Sequence, residues 1–190
     1  MKKIILSALL AGSLFANAEV YSDKVKQVYA DASSKDVIGR LLPTNAVKIL
    51  AKDNGRIKIE VQGYVNPEVP SVINFSDSQR VFALAFAKTA NFKTEVIKKG
   101  ENGKWDLVKT VVYTDDADFV DDVKPMLSRA AEIYKNACGV CHGLHDTSHY
   151  KANQWPGLLK SMISRTAIDK KDEWLVIQYL QKHSSDVNLK

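Results

Sequence analysis

Apolar and polar positions alternate through residues 28–65, most clearly in "VKIL" (47–50) and "IKIEV" (57–61). β-Branched residues at every second position predict strands with one buried face. Between these two runs "AKDNG" supplies an Asn-Gly pair, Asn54-Gly55, that favours a hairpin turn. Ahead of them "VIGRLLPTNA" (37–46) reads as a short strand and a proline-containing turn. A second hairpin pattern follows in "TEVIKKGENGKWDLVKTVVYT" (94–114), whose Asn102-Gly103 lies 48 residues after the first such pair. Shared turn chemistry accounts for the echo without an internal duplication. The intervening "SDSQRVFALAFAKTANF" (76–92) fits either a strand or a short helix. Beyond "TDDADFVDD" (114–122), with its five aspartates, the period changes. Val123, Leu127, Ala130, Tyr134 and Ala137 form a helical stripe, with Pro125 in the first turn, where its missing N–H costs little. A last helix is predicted in "DKKDEWLVIQYLQKH" (169–183), with Asp169 as N-cap and an apolar face containing Trp174, Ile177 and Leu180.

Short alternating strands with glycine at the corners cannot make a thick core, and a small closed barrel is their natural solution. Residues 37–65, "VIGRLLPTNAVKILAKDNGRIKIEVQGYV", resemble the bacterial Src-homology-three-like barrel, with a glycine after the first strand and a closing Gly63-Tyr64. Ile57 stands where that family usually has an aromatic residue, which speaks against a peptide-binding groove. The predicted class is α+β: a small SH3-like β-barrel module followed by a short α-helical domain. The expected boundaries are a signal peptide over 1–18, a β-rich module with a second hairpin unit over 19–120, and a helical domain over 121–190.

The N-terminus changes the compartment. Lys2 and Lys3, an apolar run from Ile4 to Phe15 and "ANA" at 16–18 describe a cleavable secretory signal, and the apolar run is too short to span a bilayer. Cleavage after Ala18 would place the chain in the periplasm. Without Lys2 and Lys3 the formal charge falls from +5 to +3, which is mild. No basic stripe is interleaved with aromatics, so nucleic-acid binding is not expected. The sign is uneven: residues 19–110 hold 15 basic and 11 acidic side chains, residues 111–190 hold 10 and 11. This suggests the β-rich part as a docking unit, and a fragment from Asp121 to Lys190 is expected to fold alone.

The chain's two cysteines, Cys138 and Cys141, lie in "NACGVCHG" (136–143) with His142 directly after the second. A disulfide between them would close a loop too short to constrain the unfolded chain much. Zinc would need two further ligands, for which His145 and His149 are the only neighbours on offer. A thioredoxin-like pair belongs between a strand and a helix, and here a helix precedes it. The C-x-x-C-H motif of covalent haem attachment fits every feature. One haem c is expected, held by Cys138 and Cys141, with His142 on the iron.

For the sixth ligand the candidates are Met126, Met162, His145, His149 and His183. Met126 precedes Cys138 on the same predicted helix, which cannot fold over its own haem. His145 is three residues past His142, too few to round the porphyrin edge, and His149 is marginal for the same reason. His183 fits a helix C-terminus. Met162, 20 residues past His142, has enough chain to reach the opposite face, and it is preferred over His149.

An apolar helix into the motif and an aromatic-rich final helix resemble small c-type cytochromes. That resemblance implies that the carbonyl of Pro156 receives the other ring proton of His142. The whole arrangement is similar to the C-terminal, monohaem part of the pentahaem cytochromes of trimethylamine N-oxide respiration. The likeness rests on "CGVCHGLHDTSHYKANQWPGLLKSM" (138–162) and the "YLQKHSSD" terminal helix, and is most specific in "ANQWPGLLKSM" (152–162), which contains Trp155 and Pro156. It implies an electron-transfer protein rather than an enzyme. Its implied acceptor is a periplasmic molybdopterin reductase of the trimethylamine N-oxide or dimethyl sulfoxide type. The sequence departs from the pentahaem pattern in having neither the membrane helix nor four further haem motifs, which implies a separate quinol-linked or cytochrome donor. Two rival functions are a haem enzyme or gas sensor with an open sixth position, and an acceptor for a dehydrogenase such as a sulfite oxidase. A six-coordinate, carbon-monoxide-insensitive spectrum excludes the first; the direction of rapid electron flow decides the second.

Overall fold

A computed structural model of the chain describes residues 18–53, 55–140 and 143–187. Residues 1–17, on which most of the expected signal peptide over 1–18 falls, lie outside the described residues, as do Asn54, Cys141 and His142. Nine strands come first: β1 (Glu19–Val20), β2 (Lys26–Tyr29), β3 (Val37–Leu41), β4 (Val47–Asp53), β5 (Arg56–Val65), β6 (Val72–Asn74), β7 (Phe82–Phe86), β8 (Glu95–Lys98) and β9 (Asp106–Asp115). Three helices follow: α1 (Lys124–Cys138), α2 (Trp155–Met162) and α3 (Glu173–Lys182).

Strands β5, β6, β7, β3, β2 and β9 close into a six-stranded barrel, with β4 and β1 extending from β5 and β8 from β9. The α+β class is therefore as expected. Period-two alternation puts Ile57, Ile59 and Val61 of β5 and Val108 and Val112 of β9 inside, together with Val28, Leu41, Ile73 and Leu84. The two Asn-Gly hairpins meet through their second strands: β5 and β9 pair antiparallel from Arg56↔Asp115 to Val65↔Asp106. Gly55, Asn102 and Gly103 all have positive φ, as such turn tips require. Gly39 lets β3 approach β7 closely, because a Cβ there would lie 2.5 Å from the Ala85 carbonyl oxygen. Residues 82–86, ambiguous in the sequence, form strand β7.

The barrel's narrowest seam is β2–β9, paired only at Tyr29↔Tyr113. Lys26, almost fully buried, supports it by pairing with Asp115 and donating to the Ala117 carbonyl (2.9 Å). Asp118 pairs with Lys24 (2.9 Å) and Asp116 with Lys52 (3.1 Å). Much of the acidic run is thus bound by the chain's own lysines rather than presented to a cationic partner.

Helix α1 has Pro125 in its first turn and buries Met126, Ala130 and Tyr134. Met126 packs with Ala130 and Leu175 where α1 meets α3, which makes it a core residue. Helix α3 starts from Asp172 rather than the expected Asp169, and the Asp172 carboxylate is bound by Arg129 of α1.

The face of α3 opposite the helical core lies on the barrel, and it is polar. Gln178 donates to the Phe82 carbonyl (2.9 Å), and Gln181 to the Arg80 and Ala152 carbonyls (3.2 and 2.9 Å). Lys182 is 2% exposed. Its Nζ donates to Thr44 O (2.8 Å), Thr44 Oγ1 (3.1 Å) and Asn45 Oδ1 (3.1 Å), and lies 4.3 Å from the Phe75 ring centroid. Thr44 has φ +62°, unusual for a β-branched residue, and this conformation offers both of its oxygens to one ammonium. Residues 121–190 on their own would leave Gln178 and Lys182 without the partners that Phe82, Thr44 and Asn45 supply from the barrel side.

Candidate haem site

Cys138 is the last residue of α1, and the helix stops at Gly139, whose N–H reaches back to the Lys135 carbonyl (3.1 Å). From Gly143 the chain runs as a loop into α2. Asp146 caps a single 3-10 turn, Thr147–His149, by accepting from the Ser148 N–H (2.8 Å). Two aromatic side chains tie this loop down from below. Tyr134 donates to the His145 carbonyl (3.0 Å), and the Trp155 indole donates to the Thr147 carbonyl (3.0 Å). Burial pushes the Tyr134 hydroxyl up to about 12, so it remains a donor throughout the physiological range. Tyr134→Phe is expected to cost about 1 kcal/mol, the worth of one such bond, read as a shift in the denaturation midpoint.

Between these elements lies a groove of about 410 Å³. Tyr134, Ala137 and Cys138 of α1 form one wall; Trp155, Leu158, Leu159 and Met162 of α2 form another; Leu144, His145 and Tyr150 of the loop complete it, with Arg165 at the rim. The volume falls within the range of small-molecule and cofactor pockets, roughly 300–1,000 Å³. Its lining is apolar apart from a few polar groups, and one thiol stands in its wall. These features fit a porphyrin held by a thioether. Burial pushes the Cys138 thiol up, so in the haem-free chain it stays protonated at neutral pH.

Cys138, Trp155 and Met162 thus share one groove, to which α1 and α2 both contribute. Met162 is 43% exposed, at the C-terminal end of α2. Pro156 occupies the first turn of α2 directly after Trp155; His142, its expected partner, lies outside the described residues, as does Cys141. The other histidines fall into two groups. His145 and His149 stack on each other (5.1 Å between centroids) and lean edge-on against Tyr150. His183 closes α3, with its Nδ1 donating to the Tyr179 carbonyl (2.8 Å).

Sequence reasoning missed how the segment 152–162 is divided. Its start belongs to the barrel: Ala152 is fully buried, and Asn153 accepts from the Arg80 N–H (2.9 Å) and donates to Gln79 (2.9 Å). Its remainder forms the groove wall. One stretch of eleven residues therefore fixes α2 to the barrel and shapes the groove.

Residues 15–119 match the family described as the TorC third cytochrome c domain. The chain belongs to that family. The match ends before both cysteines, but individual relatives extend it across nearly the whole chain. Cytochrome c-type protein TorC of Escherichia coli O157:H7 is 30% identical over 183 residues, covering 94% of this chain and 47% of the relative. The TorC of Escherichia coli strain K12 is 30% identical over 172 residues (88% and 44%). Cytochrome c-type protein TorY of Haemophilus influenzae is 20% identical over 185 residues (95% and 50%). The chain spans about half the length of these relatives. No solved structure matches it. It is a TorC-like cytochrome, and a cytochrome c domain implies haem c. Among the described residues no helix is long and apolar enough to cross a membrane.

Proposed function

We propose that this TorC-like chain is a periplasmic monohaem electron carrier that passes single electrons to a molybdenum-cofactor N-oxide or S-oxide reductase. The observation that carries this reading is the groove in which Cys138 and Met162 both stand, one on α1 and one on α2. Its relatives are named cytochrome c-type proteins, and the motif "CGVCH" supplies the second thiol and the histidine. Haem c, when bound, supplies reversible one-electron chemistry at its iron.

Each residue then has a task. Cys138 and Cys141 would hold the cofactor covalently, and His142 and Met162 would coordinate its iron. Pro156 offers a carbonyl acceptor to His142, which would fix the imidazole and tune its basicity. Trp155, Leu158 and Leu159 exclude water from one side, and a dry, weakly polar shell is among the levers that set a potential. Tyr134 and Trp155 hold the loop over 143–150 in place through their bonds to His145 and Thr147. The electrons would come from a separate quinol-linked or cytochrome donor.

Met162→Ala is expected to abolish the weak near-infrared band of a methionine–iron bond in the oxidised protein and to lower the midpoint potential, because methionine ligation raises it. An unchanged bis-histidine resonance spectrum in that variant would assign the ligand to His149 instead. Stopped-flow mixing of the reduced protein with a purified trimethylamine N-oxide reductase tests the partner. Rapid reoxidation supports the reading, and its absence, alongside rapid reduction by a sulfite dehydrogenase, would reverse the direction of electron flow.

A further inference from the structure

Trp174, on the first turn of α3, packs against the helical core as its place on the apolar face predicts, and it is half-buried. Two cations from different elements lie on it. The Arg40 guanidinium of β3 is 5.1 Å from the ring centroid, and the Lys160 ammonium of α2 is 5.3 Å from it. Neither cation is in an ion pair among the described residues. The acids nearby on the chain are largely bound elsewhere: Asp172 by Arg129, and Asp169 by Lys171 (3.6 Å), leaving Glu173, with Lys170 a further cation close to it in the sequence.

The position of the patch relative to the groove follows from helix geometry. Leu158, Leu159 and Met162 of α2 face the groove, and Lys160 falls on the other side of the same helix. The patch therefore stands about one helix diameter, roughly 10–12 Å, from the groove. Tryptophan and arginine are the residue types that dominate interface energetics. Here the ring is already held by its cations, so little side-chain freedom is lost when a partner covers it. Uncompensated cations beside it select a negatively charged surface and steer its approach.

We propose that Trp174, Arg40 and Lys160 form the docking point for an acidic face of the protein with which this cytochrome exchanges electrons. The inference rests on the electron-carrier reading for the partner's identity, but not for its chemistry. Docking then requires the assembled seam, since β3, α2 and α3 each contribute one residue, and it does not reside in the barrel alone.

The test uses the full-length, haem-loaded protein and a short polyglutamate peptide as a partner-independent probe. Titration followed by nuclear magnetic resonance should shift the Trp174 indole signal and leave that of Trp105 in place. The double variant Arg40→Glu/Lys160→Glu should weaken the peptide's binding about tenfold, whereas Lys98→Glu on β8 should not. Shifts elsewhere, or equal binding by the double variant, overturn the proposal. With the reductase, the double variant should transfer electrons about tenfold more slowly at low salt, with the difference shrinking as salt rises. An unimpaired rate overturns the docking role. A wild-type protein that reduces no such reductase but still binds the peptide at Trp174 overturns the assigned partner and leaves the docking point supported. Charge-dependent binding to phosphatidylglycerol vesicles at Trp174, with an unimpaired reductase rate, overturns it in favour of a membrane surface.

Discussion

Lys182→Ala is expected to lower the stability of the folded chain by about 2–5 kcal/mol, the range for deleting a large buried side chain, read as a fall in the denaturant midpoint. The substitution leaves a cavity beside Phe75 and strips Thr44 and Asn45 of their shared donor, and unsatisfied buried acceptors add their own cost. Lys182 also carries a pH signature. Burial pushes its ammonium from 10.5 down to about 7, while the three oxygens and the Phe75 ring oppose that fall. Between about 7 and 10.5 the unfolded chain holds a proton that the folded chain does not, so the lysine's contribution rises with pH across this window and is lost as pH falls towards 7. One pKa unit corresponds to about 1.4 kcal/mol, so the swing reaches several kcal/mol. Lys182→Met should flatten the pH dependence of stability relative to wild type. Parallel curves for the two proteins would mean that Lys182 stays charged throughout. The same interface predicts that a fragment of residues 121–190 is largely unfolded on its own; a fragment with native helix content and a cooperative transition would contradict this.

The second large effect is chemical. Cys138→Ala is expected to remove most of the covalently bound haem from exported protein, because the remaining thiol, Cys141, would have to hold the cofactor alone. Intact-protein mass spectrometry reads the attached fraction directly. Full attachment in this variant would place the linkage elsewhere. Arg40→Glu, which alters the seam and leaves the groove intact, serves as the control and should retain its haem.

Much of the fold could be read from local chemistry. The Asn-Gly tips, the alternating runs of β4, β5 and β9 and the stripe of α1 are patterns whose partners lie within a few residues. What could not be read depends on distant partners. The pairing of β5 with β9 joins residues about fifty apart, so the two hairpins looked like separate units when their second strands are neighbouring staves of one barrel. The run "FALAF" does not alternate in polarity, because Ala83, Leu84 and Phe86 are all buried, and it therefore carried no strand signal. Gln178, Gln181 and Lys182 are polar residues of α3 buried by contacts far along the chain. Their partners Thr44, Asn45, Arg80 and Phe82 are supplied by the barrel roughly 100 residues earlier, and only the folded chain brings them together. The groove brings together two residues that the sequence singled out for different reasons, Cys138 for its spacing and Met162 for the length of chain between it and His142.

The most direct test of a covalent haem at Cys138 and Cys141 is acid-acetone extraction of the exported, denatured protein, followed by its intact mass. The account predicts that the colour stays with the polypeptide and that the mass exceeds that of the bare mature chain by one haem. Colour that partitions into the solvent, leaving the mass of the unmodified chain, would contradict it.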